Sequence, residues 1–239
     1  KQIANILDTA DAYRQKTKAL ITKYDALTQS LFLEMFGDPV TNPKNYSKIL
    51  ASEYYEVRGR VGWKGYKKTD LRSEGAIVLG ATHITKSGDI DLSKVVYLSH
   101  EKFEESPEII VHKNDLIFVQ RGNTIGKVGL VRKDLGEVTI NPVVLIFRPK
   151  SANPIFLLHL LMNKRLNREF VNSNSGSAQP MITQKFMKEF VFIDVPVEEQ
   201  NQFAERIQAI EALKTLAQQE LEKADQLFNS LLQKAFKGE

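Results

Sequence analysis

Apolar residues recur every three or four positions over the first 36 residues and again near the end of the chain, and a different rhythm governs the stretch between. In the first segment Ile3, Ile6, Ala10, Tyr13, Thr17, Leu20, Tyr24, Leu27 and Leu31 trace a heptad seam. That spacing sets one apolar stripe along a helix. The segment has no Pro or Gly before Gly37 and is rich in Ala, Leu, Gln and Lys, residues that lose little rotamer freedom in a helix. The last segment carries a comparable seam through Phe203, Ile207, Ile210, Ala217, Leu221, Ala224, Phe228 and Leu231; Leu213 and Leu216 broaden that face and Lys214 interrupts it. At about 1.5 Å per residue each helix spans roughly 50 Å, more than the intervening domain needs for its own core. These are rods.

The two segments are also copies of one another. Set at a constant offset of 200 residues they align without a gap. Identities fall at Gln2/Gln202, Ala4/Ala204, Ala12/Ala212, Lys23/Lys223, Asp25/Asp225, Leu27/Leu227, Ser30/Ser230, Leu31/Leu231 and Phe36/Phe236. The chain starts at Lys1, just after the place where the first copy would carry the lead-in that precedes the second, Val195-Pro196-Val197-Glu198-Glu199-Gln200. The expectation is the back part of a longer protein.

Gly37-Asp38-Pro39 stops the first helix, Gly suited to the cap and Pro unable to continue. Beyond it the period shifts toward 2, with strand candidates at 77–79, 95–98, 116–119, 127–131 and 143–148. Asn153 and Pro154 open a helix expected to run to about residue 171. A polar loop follows over 172–180, then a strand over 189–195. The expected fold class is α+β: a globular domain with a mostly antiparallel or mixed sheet, flanked by two long helices pairing as an antiparallel coiled coil. Antiparallel pairing follows because domain termini usually lie near one another, so the near ends of the two helices meet. The expected boundaries are 1–38 for the first helix, 39–196 for the globular domain and 197–239 for the last helix.

Composition narrows the function. No cysteine is present, which removes disulfides and thiol nucleophiles and fits a reducing cytoplasm. No run of 18 apolar residues occurs, and the four histidines are scattered without metal-ligand spacing. The net charge of +4 is unevenly spread. Residues 1–36 carry five bases and four acids and residues 197–239 five against eight, whereas 37–196 hold 23 against 17. The basic excess sits in the middle domain and suits a polyanionic partner.

Three stretches of that domain carry candidate chemistry. The first includes Arg58, Arg60, Trp63, Lys64, Tyr66, Lys67 and Lys68. Bases interleaved with aromatic rings and Gly provide phosphate contacts and flat faces; the same pattern fits a solvated basic loop with Trp63 in the core. The second, Gln120 to Lys127, only superficially resembles a phosphate loop. It is one residue short, Val128 stands where Ser or Thr belongs, and a strand follows. Arg121, Asn123, Thr124 and Lys127 on a hairpin tip can instead read base edges, as Arg does with guanine and Asn with adenine, or form a plain turn. The third, around Ser177 and Gln179, is too polar for a core and either approaches a phosphate backbone or connects helix to strand. Asn141-Pro142-Val143-Val144 is similar to a catalytic loop of amino-methyltransferases but lacks its second Pro, its aromatic residue and a preceding glycine-rich cofactor strand.

These stretches, in this order between duplicated helices, resemble the DNA-specificity subunit of type I restriction–modification enzymes. The signatures are Met35-Phe36-Gly37-Asp38-Pro39, Arg121-Gly122-Asn123-Thr124-Ile125-Gly126-Lys127-Val128-Gly129, Gly176-Ser177-Ala178-Gln179-Pro180-Met181-Ile182-Thr183, and the lead-in to the last helix. In that family two target-recognition domains alternate with two conserved helical regions. Each domain reads half of a split DNA site, and the helices set the gap and dock methyltransferase subunits. This chain resembles the central helix plus the C-terminal half. The resemblance implies double-stranded DNA and methyltransferase subunits as partners, with a restriction subunit joining through the assembled complex. A second recognition domain would lie upstream in the chain or in a dimer partner. It also implies docking through the helices at Ile3, Leu20, Leu27, Leu31, Leu221, Leu227 and Leu231, with neither cofactor nor catalysis in this subunit. A coiled-coil scaffold without DNA binding is the competing expectation, and a free-standing methyltransferase a third.

Overall fold

The computed structural model of the chain describes residues 2–60, 66–173 and 181–237. Helix α1 (Gln2–Phe36) is followed by β1 (Lys48–Leu50), α2 (Ala51–Tyr54), β2 (Tyr55–Arg58), β3 (Leu71–Arg72), β4 (Ala76–Leu79), β5 (Tyr97–Leu98) and α3 (His100–Glu104). Then come β6 (Leu116–Val119), β7 (Val128–Leu130), β8 (Val138–Ile140), β9 (Val144–Pro149), α4 (Pro154–Met162) and α5 (Lys164–Asn172). The chain ends with α6 (Gln184–Glu189), β10 (Val191–Ile193) and α7 (Val197–Lys237). Two compact units result: Lys1–Met35 with Gln202–Glu239, and Phe36–Asn201.

The first unit is an antiparallel helix pair. Advancing along α1, the partners on α7 recede. Tyr13 donates to Glu220 at 3.3 Å and Arg14 to Asp225 at 2.5 Å. Lys214 donates to Asp25 at 2.5 Å, and Phe32 meets Phe203 edge-on with centroids 5.6 Å apart. The Arg14 guanidinium also sits 4.3 Å from the centre of the Phe228 ring.

The seam of α1 differs from the expected one in half its positions. Ala10, Thr17, Tyr24 and Leu31 are buried or half-buried, as expected, but so are Leu7, Arg14, Ile21 and Thr28. Ile6, Tyr13, Leu20 and Leu27 are instead 41–50% exposed. The bonds from Arg14 to Asp225 and from Lys214 to Asp25 accompany this rotation of α1, and one partner helix covers only part of an apolar stripe this broad. On α7 the expected seam holds, with Lys214 filling its gap by pairing with Asp25; Leu213, Leu216 and Leu227 are exposed.

In the second unit the strands divide among three sheets rather than one. β1 pairs with β10; β2, β9, β6 and β7 form an antiparallel sheet in that order; β3, β5, β4 and β8 form a mixed sheet in which β4 and β8 run parallel. Expected strand 116–119 is β6 itself. It is apolar throughout and buried throughout, as a central strand covered on both faces must be. Its neighbour β9 starts one residue later than expected because Asn141 turns the chain: its Oδ1 accepts from the Val143 N–H at 3.0 Å. Tyr55, Phe147 and Phe118 stack across the sheet, with centroids 4.5 and 4.9 Å apart. At the end of β9, Arg148 grips the buried Asp115 carboxylate through two bonds of 2.9 and 2.7 Å.

Two helical expectations need correction. The helix expected from residue 154 to about 171 is broken into α4 and α5 at Asn163. That residue is extended (φ −60°, ψ 123°), and its side chain accepts from the Arg165 and Leu166 N–H groups. Asparagine bonds local backbone more readily than it sits inside a helix. The strand expected over 189–195 shrinks to β10, preceded by α6, which Thr183 caps through the Phe186 N–H. Gly37, with φ +74°, ends α1 as expected.

Candidate nucleic-acid interface

The β6–β7 hairpin carries the central candidate residues on its tip. Its base is closed by Gly126 N–H to the Val119 carbonyl and Val119 N–H to the Lys127 carbonyl, both 2.8 Å. Gln120 is held on both sides: its N–H bonds the Val143 carbonyl at 3.0 Å and its carbonyl accepts from Ile182 at 2.9 Å. Beyond these anchors Arg121, Asn123 and Thr124 are exposed, and Lys127 is half-buried. Arg121 bridges to Met181, the first described residue after the third polar stretch.

The same geometry brings the first stretch alongside. Arg60 donates from Nε to the Ile140 carbonyl at 3.3 Å, one residue before the Asn141 turn. Its guanidinium lies 5.4 Å from the centre of the Tyr66 ring. Burial pulls the Arg60 pKa below its usual value, against the opposing pull of Tyr66, Glu108 and Glu105. Burial likewise raises the Tyr66 hydroxyl, with Arg60 opposing. Gly59 lies against Leu145 of β9 and Gln184 of α6. Gln184 follows the third stretch directly, so the described ends of the first and third stretches lie beside β9 and the base of the hairpin.

Within that cluster the residues differ in availability. Arg58 is paired with Glu56 at 2.9 Å, and Arg60 is committed to Ile140 and Tyr66. Lys67, Arg121, Asn123 and Thr124 present their side chains to solvent. Trp63, Lys64, Ser177 and Gln179 lie outside the described residues, as do the side chains of Lys68 and Ile3. The exposed set offers a guanidinium, an amide and a hydroxyl within four residues on an anchored hairpin, a donor and acceptor set of the kind that base edges match. Among the described residues no cluster of His, Asp and Glu can hold a metal ion, and no helix is long and apolar enough to cross a membrane.

The sequence pattern did not show the turn at Asn141. Its side chain bonds the nearby Val143 N–H, but its position is set by the distant bond of its own N–H to the Leu79 carbonyl at 2.8 Å.

The helix pair carries a different surface. Of the docking candidates, Leu20, Leu27 and Leu227 are exposed, Leu221 and Leu231 half-buried and Leu31 buried. A mainly apolar groove of about 690 Å³ runs between the helices, lined by Ile6, Tyr13, Ala224, Leu227 and Leu231, with Glu220 and Lys223 among its polar residues.

The sequence profile described as the type I restriction modification DNA specificity domain matches residues 62–226. The chain is 24% identical, over an alignment of 255 residues, to the type I restriction enzyme MjaVIII specificity subunit of Methanocaldococcus jannaschii, covering 97% of this chain and 58% of that protein. Its fold is similar to the HsdS subunit from Thermoanaerobacter tengcongensis, with a TM-score of 0.64 at 16% identity over 99% of this chain and 56% of that one. It is also similar to the type I restriction–modification S subunit from M. genitalium, with a TM-score of 0.61 at 14% identity over 98% and 59%. The chain thus spans a little over half the length of the relatives it matches.

Proposed function

We infer the function of this chain from its family: it belongs to the type I restriction modification DNA specificity domains. It is a non-catalytic, sequence-specific DNA recognition subunit that reads one half of a bipartite site. The observation that carries this reading is the exposure of Arg121, Asn123 and Thr124 on one anchored hairpin, with the described ends of the other two polar stretches beside it. Those side chains contact base edges in a groove. Lys67, Lys68 and Lys64 supply phosphate contacts that position the domain without reading sequence. Trp63, Ser177 and Gln179 contact the DNA in the same reading, and Arg58 and Arg60 brace the domain while adding positive charge. Residues 39–196 are the recognition domain; 1–38 and 197–239 are the helices that set the distance to a second half-site.

The helices dock methyltransferase subunits. Ile6, Tyr13, Leu20 and Leu27 recur every seven residues and stay exposed, the spacing a further helix needs to pack along α1. Leu227 and the groove beside it extend that surface onto α7. Methylation and cleavage then belong to partner subunits in the cytoplasm. A restriction subunit joins through the assembled complex, and a second recognition domain is supplied upstream in the same chain or by a dimer partner.

Duplex DNA affinity measured against salt tests this. Each phosphate contact contributes about −0.9 to the slope of log affinity on log salt, so a slope steeper than about −2 is expected. Affinity that is absent or flat in salt would leave only a protein-binding scaffold. Incubated alone with duplex DNA and a methyl donor, the chain should transfer no methyl group.

A further inference from the structure

The hairpin that carries Arg121, Asn123 and Thr124 is anchored unequally on its two legs. The Gln120 leg is fixed by main-chain bonds to Val143 and Ile182. The other leg, at Gly126, receives one additional support from outside the β6–β7 pair: Asn167 of α5 donates from Nδ2 to the Gly126 carbonyl at 2.7 Å. The approach is close. Gly126 has φ +84°, and a Cβ there would come within 2.3 Å of Asn167 Nδ2. The left-handed backbone and the lack of a side chain together let the amide reach the carbonyl.

Asn167 is itself rigidly placed. Leu166 and Phe170 on either side of it are buried. The Phe170 ring meets Phe118 edge-on at 6.2 Å, and Phe118 is on β6, the strand leading into the hairpin. At the start of α5, Asn163 caps the helix and Arg165 pairs with Asp38 at 2.6 Å. The helix is therefore locked to the strand below the tip and to the turn after α1, and Asn167 carries that rigidity to the far leg.

We propose that Asn167 is a specificity-positioning residue. It touches no DNA but holds the Gly126 leg so that Arg121, Asn123 and Thr124 meet base edges in one fixed register. This rests on the DNA-reading function proposed above. Sequence discrimination needs side chains held to a fraction of an ångström, whereas phosphate contacts tolerate movement. Loss of the bond should lower selectivity and leave general affinity alone.

The test uses the whole chain and a random-sequence duplex pool. Wild type first selects an enriched duplex, and its affinity is compared with that for a scrambled duplex of equal length. Asn167→Asp keeps size but replaces the donor by an acceptor facing a carbonyl; Asn167→Ala removes it. Both should reduce the enriched-to-scrambled affinity ratio about 10-fold or more, the scale of one lost base contact. Affinity for the scrambled duplex should change less than about 2-fold. If Asn167→Ala does not fold, the size-matched Asn167→Asp decides. If wild type selects a sequence and the folded variant keeps its ratio, the positioning role is wrong while DNA reading stands. An equal loss on both duplexes makes Asn167 merely structural and also overturns the role. If wild type enriches no sequence, the DNA-reading function fails and this inference with it.

Discussion

In the helix pair, Arg14–Asp225, Lys214–Asp25 and Phe32–Phe203 join α1 to α7, and Ile6, Tyr13, Leu20 and Leu27 of the expected α1 seam stay open to solvent. In the globular unit, β6 has no exposed residue, and the first four residues of β9 are buried as well. One region leaves part of its apolar stripe uncovered, and the other buries nearly all of its apolar side chains. A surface that keeps Ile6, Leu20 and Leu27 uncovered is suited to holding another protein. A domain that consumes its apolar residues internally leaves polar side chains such as Arg121 and Asn123 for an aqueous, charged partner. On the proposed function, the two units divide binding by chemistry.

The sharpest way to break that contrast lies in the globular core. Asp115→Ala leaves Arg148 facing an empty site beside its partner strands and removes the acceptor of the His112 N–H, now 2.7 Å away. Arg148 is 21% exposed and keeps its bond to the Ile110 carbonyl, so the cost lies toward the lower end of the about 3–5 kcal/mol for breaking a buried pair. Amide exchange in β6 and β9 should accelerate accordingly, with the exchange of the α1 and α7 amides unchanged; a loss spread evenly over both units would erase the distinction.

Phe203→Ala is the counterpart in the helix pair. Phe203 is fully buried against Phe32, and its truncation should lower stability by about 3 kcal/mol, read as faster exchange in the helices.

His159 on α4 gives the globular unit a pH response. Its Nε2 is sealed from solvent. Burial, reinforced by the Arg132 charge and opposed by Asp89, pushes its pKa down from the ordinary value to about 4. The unfolded chain therefore binds the proton first as pH falls. This contribution to stability is complete above about pH 6.5 and is lost progressively between there and about pH 4, on the order of 3 kcal/mol in all. Urea midpoints of His159→Phe, measured at pH 7 and pH 4.5, should differ less than those of the wild type.

Asp225→Asn should have the smallest effect. Asp225 is 39% exposed, and Arg14 keeps a second partner in Asp11 at 2.9 Å. A loss under about 1 kcal/mol is expected in a thermal melt.

The same contrast explains what could be read from the sequence. The rods, Gly37 as the stop of α1 and the continuous apolar run of β6 are local patterns, and each appears where its pattern places it. The rotation of α1 was not legible, because Arg14–Asp225 and Lys214–Asp25 join residues about 200 positions apart. The break at Asn163 was hidden by apolar spacing that runs through it, although the asparagine was visible. Short strands such as β3 and β8 exist through their partners and have little pattern of their own. The exposed hairpin tip was legible as a set of polar residue types. Its convergence with Arg60 and Met181, and the support from Asn167, depend on contacts between distant segments.

The division of binding between the two units is tested most directly by a crossed measurement on two folded variants, Arg121→Ala and the double change Leu20→Asp with Leu27→Asp. Each is assayed for selection of a duplex from a random pool and for co-purification with a methyltransferase subunit. Arg121→Ala should lose about 1–3 kcal/mol of sequence discrimination and capture the methyltransferase normally. The leucine double variant should keep its duplex selection and lose the methyltransferase. If either folded variant loses both activities, or the leucine variant captures its partner as the wild type does, the helices and the hairpin do not divide binding in this way.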